Sequence, residues 1–191
     1  ADVARKSLGH VPALPLGLQR RDHVQAPAAR GLAEADQAGV LQAVADFTRG
    51  LGIDVNVVQF NSGSGGFSAF GAPRTVNIGN AGATMTWASG SFLAEGSSLI
   101  LGSRFSGNTI TFANPINLSN GNRVIQVNDG VSPNNIDAIL SGVVFSSNME
   151  TSGLLTKTGA GTLALTAANT YAGGTNLLEG QLIVGNGATG S

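Results

Sequence analysis

The chain has 191 residues, a formal net charge of −1, only 11% charged residues, 28 glycines and no cysteine. That balance excludes disorder driven by net charge, and the missing cysteines exclude a disulfide scaffold or a thiolate metal site. There is no basic surplus to attract nucleic acid, and the glycines lack the three-residue period of collagen. The polar balance falls to Ser, Thr and Asn, residues of strands and turns, so an all-β chain is expected.

The N-terminus reads Ala1-Asp2-Val3-Ala4-Arg5-Lys6, without an initiator Met or an apolar signal core behind the basic pair. Either a leader was removed or the chain is a piece of something longer. Arg20-Arg21 is followed by Asp22, His23, Val24 and Gln25, which gives no apolar segment for a twin-arginine signal. No run of eighteen apolar residues exists, so no transmembrane helix is expected.

Composition changes near Arg49-Gly50-Leu51-Gly52. Residues 1–50 carry eleven of the twenty-one charges, both histidines and no asparagine; residues 51–191 carry all sixteen asparagines and twenty-three glycines. Two parts are therefore expected: a leader with one short helix over 1–50, and a β domain over 51–191. Within the leader, Pro12, Pro15 and Pro27 interrupt any period, which predicts coil over residues 9–30. Leu32, Ala35, Val40, Leu41, Val44 and Phe47 then fall mostly on one helical face, with Gly50 suited to a C-terminal cap. Such a helix would cover the open end or side of the β domain.

After residue 54 the period falls to two. Short β-rich runs are predicted at Val55–Phe60, Thr75–Ile78, Thr84–Trp87, Ser98–Leu101, Thr109–Phe112 and Ile116–Leu118. They continue at Val124–Val127, Ile136–Leu140, Leu154–Lys157, Thr162–Thr166, Thr175–Leu178 and Leu182–Val184. Asn-Gly, Gly-Asn, Ser-Gly and Gly-Gly dipeptides between them supply positive φ at turns. A sandwich, a barrel and a solenoid all fit this spacing. Aromatics at 5% are too few for a thick sandwich core, whereas small aliphatics suit the narrow interior of a β-helix, and turn asparagines suit stacked rungs. The expected fold is a right-handed parallel β-helix, a β-solenoid.

Residues 153–187 carry a denser pattern: Leu155-Thr156-Lys157, Gly159, Gly161-Thr162-Leu163, Leu165, Asn169-Thr170-Tyr171, Gly173-Gly174-Thr175, Gly180, Leu182 and Val184-Gly185. This segment resembles the autotransporter-associated β-strand repeat of bacterial surface and secreted passengers. Gln181 stands where that family usually has Thr. Arg123 to Gly130 and Ile136 to Gly142 resemble, more weakly, what often precedes the repeat. Read without any family, Thr158-Gly159-Ala160-Gly161 is a tight turn, Leu163 and Leu165 point inward, and Asn169-Thr170-Tyr171 makes a corner. Three strands, ending with Leu182–Val184, would then form one coil, and coils bury their faces only by stacking.

Catalytic constellations are sparse. His10 and His23 both lie in the leader, and G-x-S-x-G does not occur. The β region offers Asp54, Glu95, Asp129, Asp137, Glu150 and Glu179 as carboxylates, with Asp129 and Asp137 the closest pair. A glycosidase needs two carboxyls about 5–9.5 Å apart, and Asp129-Gly130 also reads as a turn. A groove clustering Asp129, Asp137 or Glu95 with Arg104 or Arg123 would favour an enzyme. Asn61-Ser62-Gly63-Ser64-Gly65-Gly66 has the glycines of a calcium turn but no carboxylate, so a loop is expected. Thr84-Met85-Thr86 and Thr109-Ile110-Thr111 are too few for an ice-binding face. Trp87 and Tyr171 read as core or corner plugs.

No catalytic, cofactor-binding or metal site is expected. The resemblance implies a non-enzymatic piece of a cell-surface or secreted passenger acting as a stalk or adhesive surface. Its partners would be glycans, matrix or host-surface molecules, or further copies, with any membrane attachment through a C-terminal barrel or anchor beyond Ser191. A carbohydrate-active β-helix enzyme and a self-assembling surface protein are the alternatives.

Overall fold

The computed structural model describes residues 39–60, 63–147 and 153–185. The coil expected over 9–30, both histidines, Glu150 and the first half of the expected helix lie outside these residues. All named elements among them are strands.

The chain winds through three parallel sheets in turn. The first stacks β1 (Val40–Ala43), β4 (Gly65–Ala69), β7 (Ser98–Leu101), β10 (Asn122–Val127), β13 (Leu154–Thr158) and β15 (Thr175–Leu177). The second stacks β5 (Arg74–Val76), β8 (Ile110–Phe112), β11 (Ala138–Leu140), β14 (Thr162–Leu165) and β16 (Gln181–Val184). The third holds β6 (Met85–Thr86), β9 (Ile116–Asn117) and β12 (Val144–Phe145), extended by a parallel bridge from Phe145 to Thr170. A small pair, β2 (Gly50–Leu51) and β3 (Val57–Val58), flanks the first rung. One turn of chain visits each sheet once, which is a parallel β-helix.

Register explains the core. Side chains alternate across a strand, so residues paired between rungs share a face. Leu41, Phe67, Leu101 and Val127 form one inward column of the first sheet. Val76, Phe112, Leu140 and Leu165 form an inward column of the second, and all four are buried. Outward columns are shorter and more polar: Thr75 pairs Thr111, and Ser98 pairs Val124, which pairs Thr156.

The rungs are unequal. Phe67 pairs Leu101, thirty-four residues on, while Leu155 pairs Thr175, only twenty on. The wider early rungs hold most of the aromatic volume: Phe47, Phe60, Phe67, Trp87, Phe92 and Phe112 form a connected set with ring centroids 5.4–6.4 Å apart. Scarce aromatics are therefore concentrated where long excursions leave a wide interior to fill.

Two expectations are corrected. The predicted helix over Leu32–Phe47 is not formed in its described half: Val40–Ala43 is a strand paired with β4, and Phe47 bridges to Val76. Pairing with β4 satisfies one edge of this backbone, and it lays Leu41 over Phe67 and Ala43 over Ala69. The glycine run likewise does not end as a loop, because Gly65 and Gly66 begin β4. A Cβ at Gly66 would collide with the carbonyl of Ile100, so glycine here allows close strand approach.

The prediction is that Gly66→Ala destabilises the protein by about 1–3 kcal/mol through overpacking. Gly107→Ala, where a Cβ meets nothing within 4 Å, should stay within about 0.5 kcal/mol. Leu163→Ala, in the fully buried second-sheet core, should cost about 2–5 kcal/mol. Urea unfolding followed by far-ultraviolet circular dichroism measures all three.

Candidate functional site

Corners between sheets leave backbone groups that no ladder can pair, and buried groups of that kind are costly unless satisfied. Side chains one rung away supply the partners. Asn114 accepts from the Ile78 amide at 2.8 Å and donates to the carbonyls of Ile78 and Ala83. Asn169 accepts from Val144 N, Asp46 from Thr75 N, and Ser64 Oγ from Ser98 N. These polar residues staple rung to rung.

Asp137 belongs to the same system. It is buried, its Oδ1 accepts from Gly130 N at 2.9 Å, and its Oδ2 accepts from Thr162 N at 2.8 Å. Both oxygens are thus occupied by backbone donors. Asp129 sits in the corner beyond β10.

Glu95 does meet Arg123. The Glu95 carboxylate lies 2.7 Å from Arg123 Nη1, which is not aligned for a hydrogen bond, so the contact is Coulombic. Arg123 is buried, and its Nε donates to the Leu118 carbonyl. The pair sits at the start of β10. Asp129 lies past the other end of β10, in the corner after Val127. Arg104 stacks on Phe105, with the guanidinium carbon 4.7 Å from the ring centroid, on the exposed corner after β7. Asp54 sits on an exposed loop, where its main-chain carbonyl accepts from Gln59. Among the described residues, no three His, Cys, Asp or Glu side chains group to hold a metal.

Of the remaining candidates, Trp87 is fully buried, edge-to-face with Phe92. Tyr171 packs against the core and its hydroxyl lies 2.6 Å from that of Thr175. The two Thr-x-Thr triplets fall on different sheets, the third and the second, so they do not stack.

The polar centre that the sequence did not single out is Lys157. It stands in the inward column with Leu99 and Ile125, and no part of it is solvent-exposed. Its Nζ donates to three carbonyls: Thr158 at 3.0 Å, Gly159 at 2.6 Å and Glu179 at 3.0 Å. The Glu179 carboxylate accepts from Gly159 N in return. An ammonium has three donors, and this cage uses all of them. Gly159 makes the cage possible with φ +77 and a Cβ position that would strike the Val127 carbonyl. The sequence signal was available, since Lys157 follows inward Leu155 by two residues.

This segment also corrects the single-coil expectation. β13, β14 and Thr170 complete one rung, and β15 opens the next by pairing Leu155 with Thr175; β16 follows by pairing Leu163 with Leu182. The Lys157 cage latches these two rungs together.

Burial pulls the Lys157 ammonium below its ordinary 10.5, against the raising effect of the Glu179 and Asp137 charges. The unfolded lysine keeps the higher value, so between the two the unfolded state binds more protons and stability rises with pH. Lys157→Met should lose about 1–3 kcal/mol at neutral pH by leaving carbonyls unpaired. The wild type should also gain stability relative to that variant as pH climbs toward 10.5. Paired urea titrations from neutral pH up to that value check both.

No curated protein and no solved structure matches the chain. The family model described as the passenger-associated-transport-repeat matches residues 155–184. Those residues run from inward Leu155 through the Lys157 cage to the end of β16, and over that span the chain carries a repeat of the autotransporter passenger family, wound as one β-helix rung and most of the next.

Proposed function

We propose that the chain is a non-enzymatic part of a bacterial passenger displayed at the cell surface or secreted, where it serves as a stiff stalk or adhesive surface. The observation that carries this reading is the passenger repeat at 155–184, built into a continuous parallel β-helix. A solenoid whose rungs contact only their neighbours makes a long rod from little sequence information. Its outward columns hold Thr75, Thr111, Ser98 and Asn176, short polar side chains suited to hydrogen bonding with hydroxyl-rich surfaces. Glycans, matrix or host-surface molecules are the partner classes such a surface fits. Membrane attachment would come from a barrel or anchor elsewhere in the protein.

Protease treatment of intact producing cells tests display: the chain should be cleaved or shed, and full protection while periplasmic markers are also protected would overturn it. Incubation of the full chain with plant and bacterial polysaccharides tests the enzyme alternative. The expected result is no new reducing ends or unsaturated products. Depolymerisation that disappears in Glu95→Gln or Asp129→Asn would replace the stalk reading with a carbohydrate-active one.

A further inference from the structure

Among the described residues, every aromatic ring is buried or half-buried except two, Phe70 at 51% and Phe105 at 50% exposure. Both stand at the corner where the chain leaves the first sheet for the second. Phe70 follows β4, and Phe105 lies between β7 and β8, one rung on. Ser106 ties the two positions together. Its hydroxyl donates to the Ala69 carbonyl at 3.0 Å and accepts from the Ala69 amide at 3.2 Å. The neighbour of Phe105 is thereby fastened to the neighbour of Phe70. Ser106 is buried, its amide donates to the Ser103 carbonyl, and its own carbonyl accepts from the Val131 amide of the following rung. Val131, 75% exposed, adds a third apolar side chain. One corner of three successive rungs, spaced about 4.8 Å apart, thus presents Phe70, Phe105 and Val131 on a hydrogen-bonded frame.

We propose that this corner binds a glycan built of uronic acid residues. A protein partner of standard size covers about 800 Å² per side, far more than three apolar side chains offer. A sugar ring is a closer match, because it has an apolar C–H face to lay on an aromatic ring and a rim of hydroxyls. Exposed Asn134 and Asn135, in the same corner as Val131, supply hydrogen-bonding groups for such a rim. Arg104 supplies the charge. Its guanidinium carbon lies 4.7 Å from the Phe105 ring centroid, and the stack holds the cation beside the ring. A carboxylate carried directly on a sugar packed against Phe105 comes within reach of the guanidinium, which recognises carboxylates through paired hydrogen bonds. Uronic acids hold a carboxylate at that place. Asp129, exposed in the next rung, is the opposing charge; it weakens the attraction for an anion. The site rests on the adhesive reading above and gives it a location and a ligand class.

Calorimetric titration of the full chain with oligogalacturonate and oligoglucuronate tests the site. Saturable binding of at least one is expected, weakened about tenfold or more in Phe105→Ala and in Arg104→Gln. Phe105→Tyr keeps the ring and should keep the affinity. Asp129→Asn should tighten binding about twofold by removing like-charge repulsion. Leu178→Ala, at an exposed leucine beyond β15, should change nothing. Half of Phe105 already faces solvent, so its variants should retain the wild-type circular dichroism spectrum. Oligomers whose carboxylates have been reduced to alcohols should bind about tenfold more weakly. Equal binding of acid and reduced oligomers, binding indifferent to Phe105→Ala, or no binding of either acid oligomer would overturn the proposal. Preference for vesicles of anionic phospholipid over both oligomers would give the corner to a membrane surface instead. Display is read separately: a chain shaved from intact cells that ignores uronates keeps the passenger reading and loses this site.

Discussion

Everything in this molecule rests on parallel strands stacked in register, so that each rung is both the floor of one neighbour and the ceiling of another. No single rung encloses a core, since the inward side chains of one turn only touch each other around a narrow axis. Burial comes from columns such as Val76, Phe112, Leu140 and Leu165, whose members lie in four successive rungs. A one-residue slip would turn every column inside out. The register is held on the inside by column packing and at the corners by side chains such as Asn114, Asn169 and Asp137, which satisfy backbone groups of the adjacent rung.

The passenger repeat shows how this constraint shapes a motif. Its glycines, threonines and leucines match the needs of a tight rung: Gly159 takes a positive φ close under the Val127 carbonyl, and Leu163 fills the axis. Lys157 is the unusual element, a charge placed in an inward column. Burying it is costly, and three carbonyl acceptors from two successive rungs offset that cost. The repeat is thus a rung that carries its own latch to the next. The preceding rungs fill the same column position with Leu99 and Ile125 instead.

Much of the strand pattern was legible. Runs such as Ser98–Leu101 and Thr162–Thr166 alternate or continue apolar residues cleanly, and the structure places β7 and β14 there. β4 was not legible, because Gly65-Gly66-Phe67-Ser68-Ala69 has the composition of a loop. Its strand state follows from Leu99, Ile100 and Leu101 pairing beside it. β1 was hidden for a different reason. Val40, Leu41, Val44 and Phe47 fit a helical face as well as a strand, and only the neighbouring β4 decides between the two. Among the candidate charges, sequence proximity suggested Asp129 with Asp137, but Asp137 is committed to backbone amides of its own corner and the next rung. The Glu95 and Arg123 contact joins residues twenty-eight positions apart.

The sequence by itself determined the period, the turn chemistry and the passenger repeat, because these depend on neighbours within a few residues. Tertiary structure alone decided which strands share a sheet, where each rung closes and what Lys157 does. Those outcomes depend on partners nineteen to thirty-six residues away, and local periodicity carries no information about how long an excursion the chain makes before it returns.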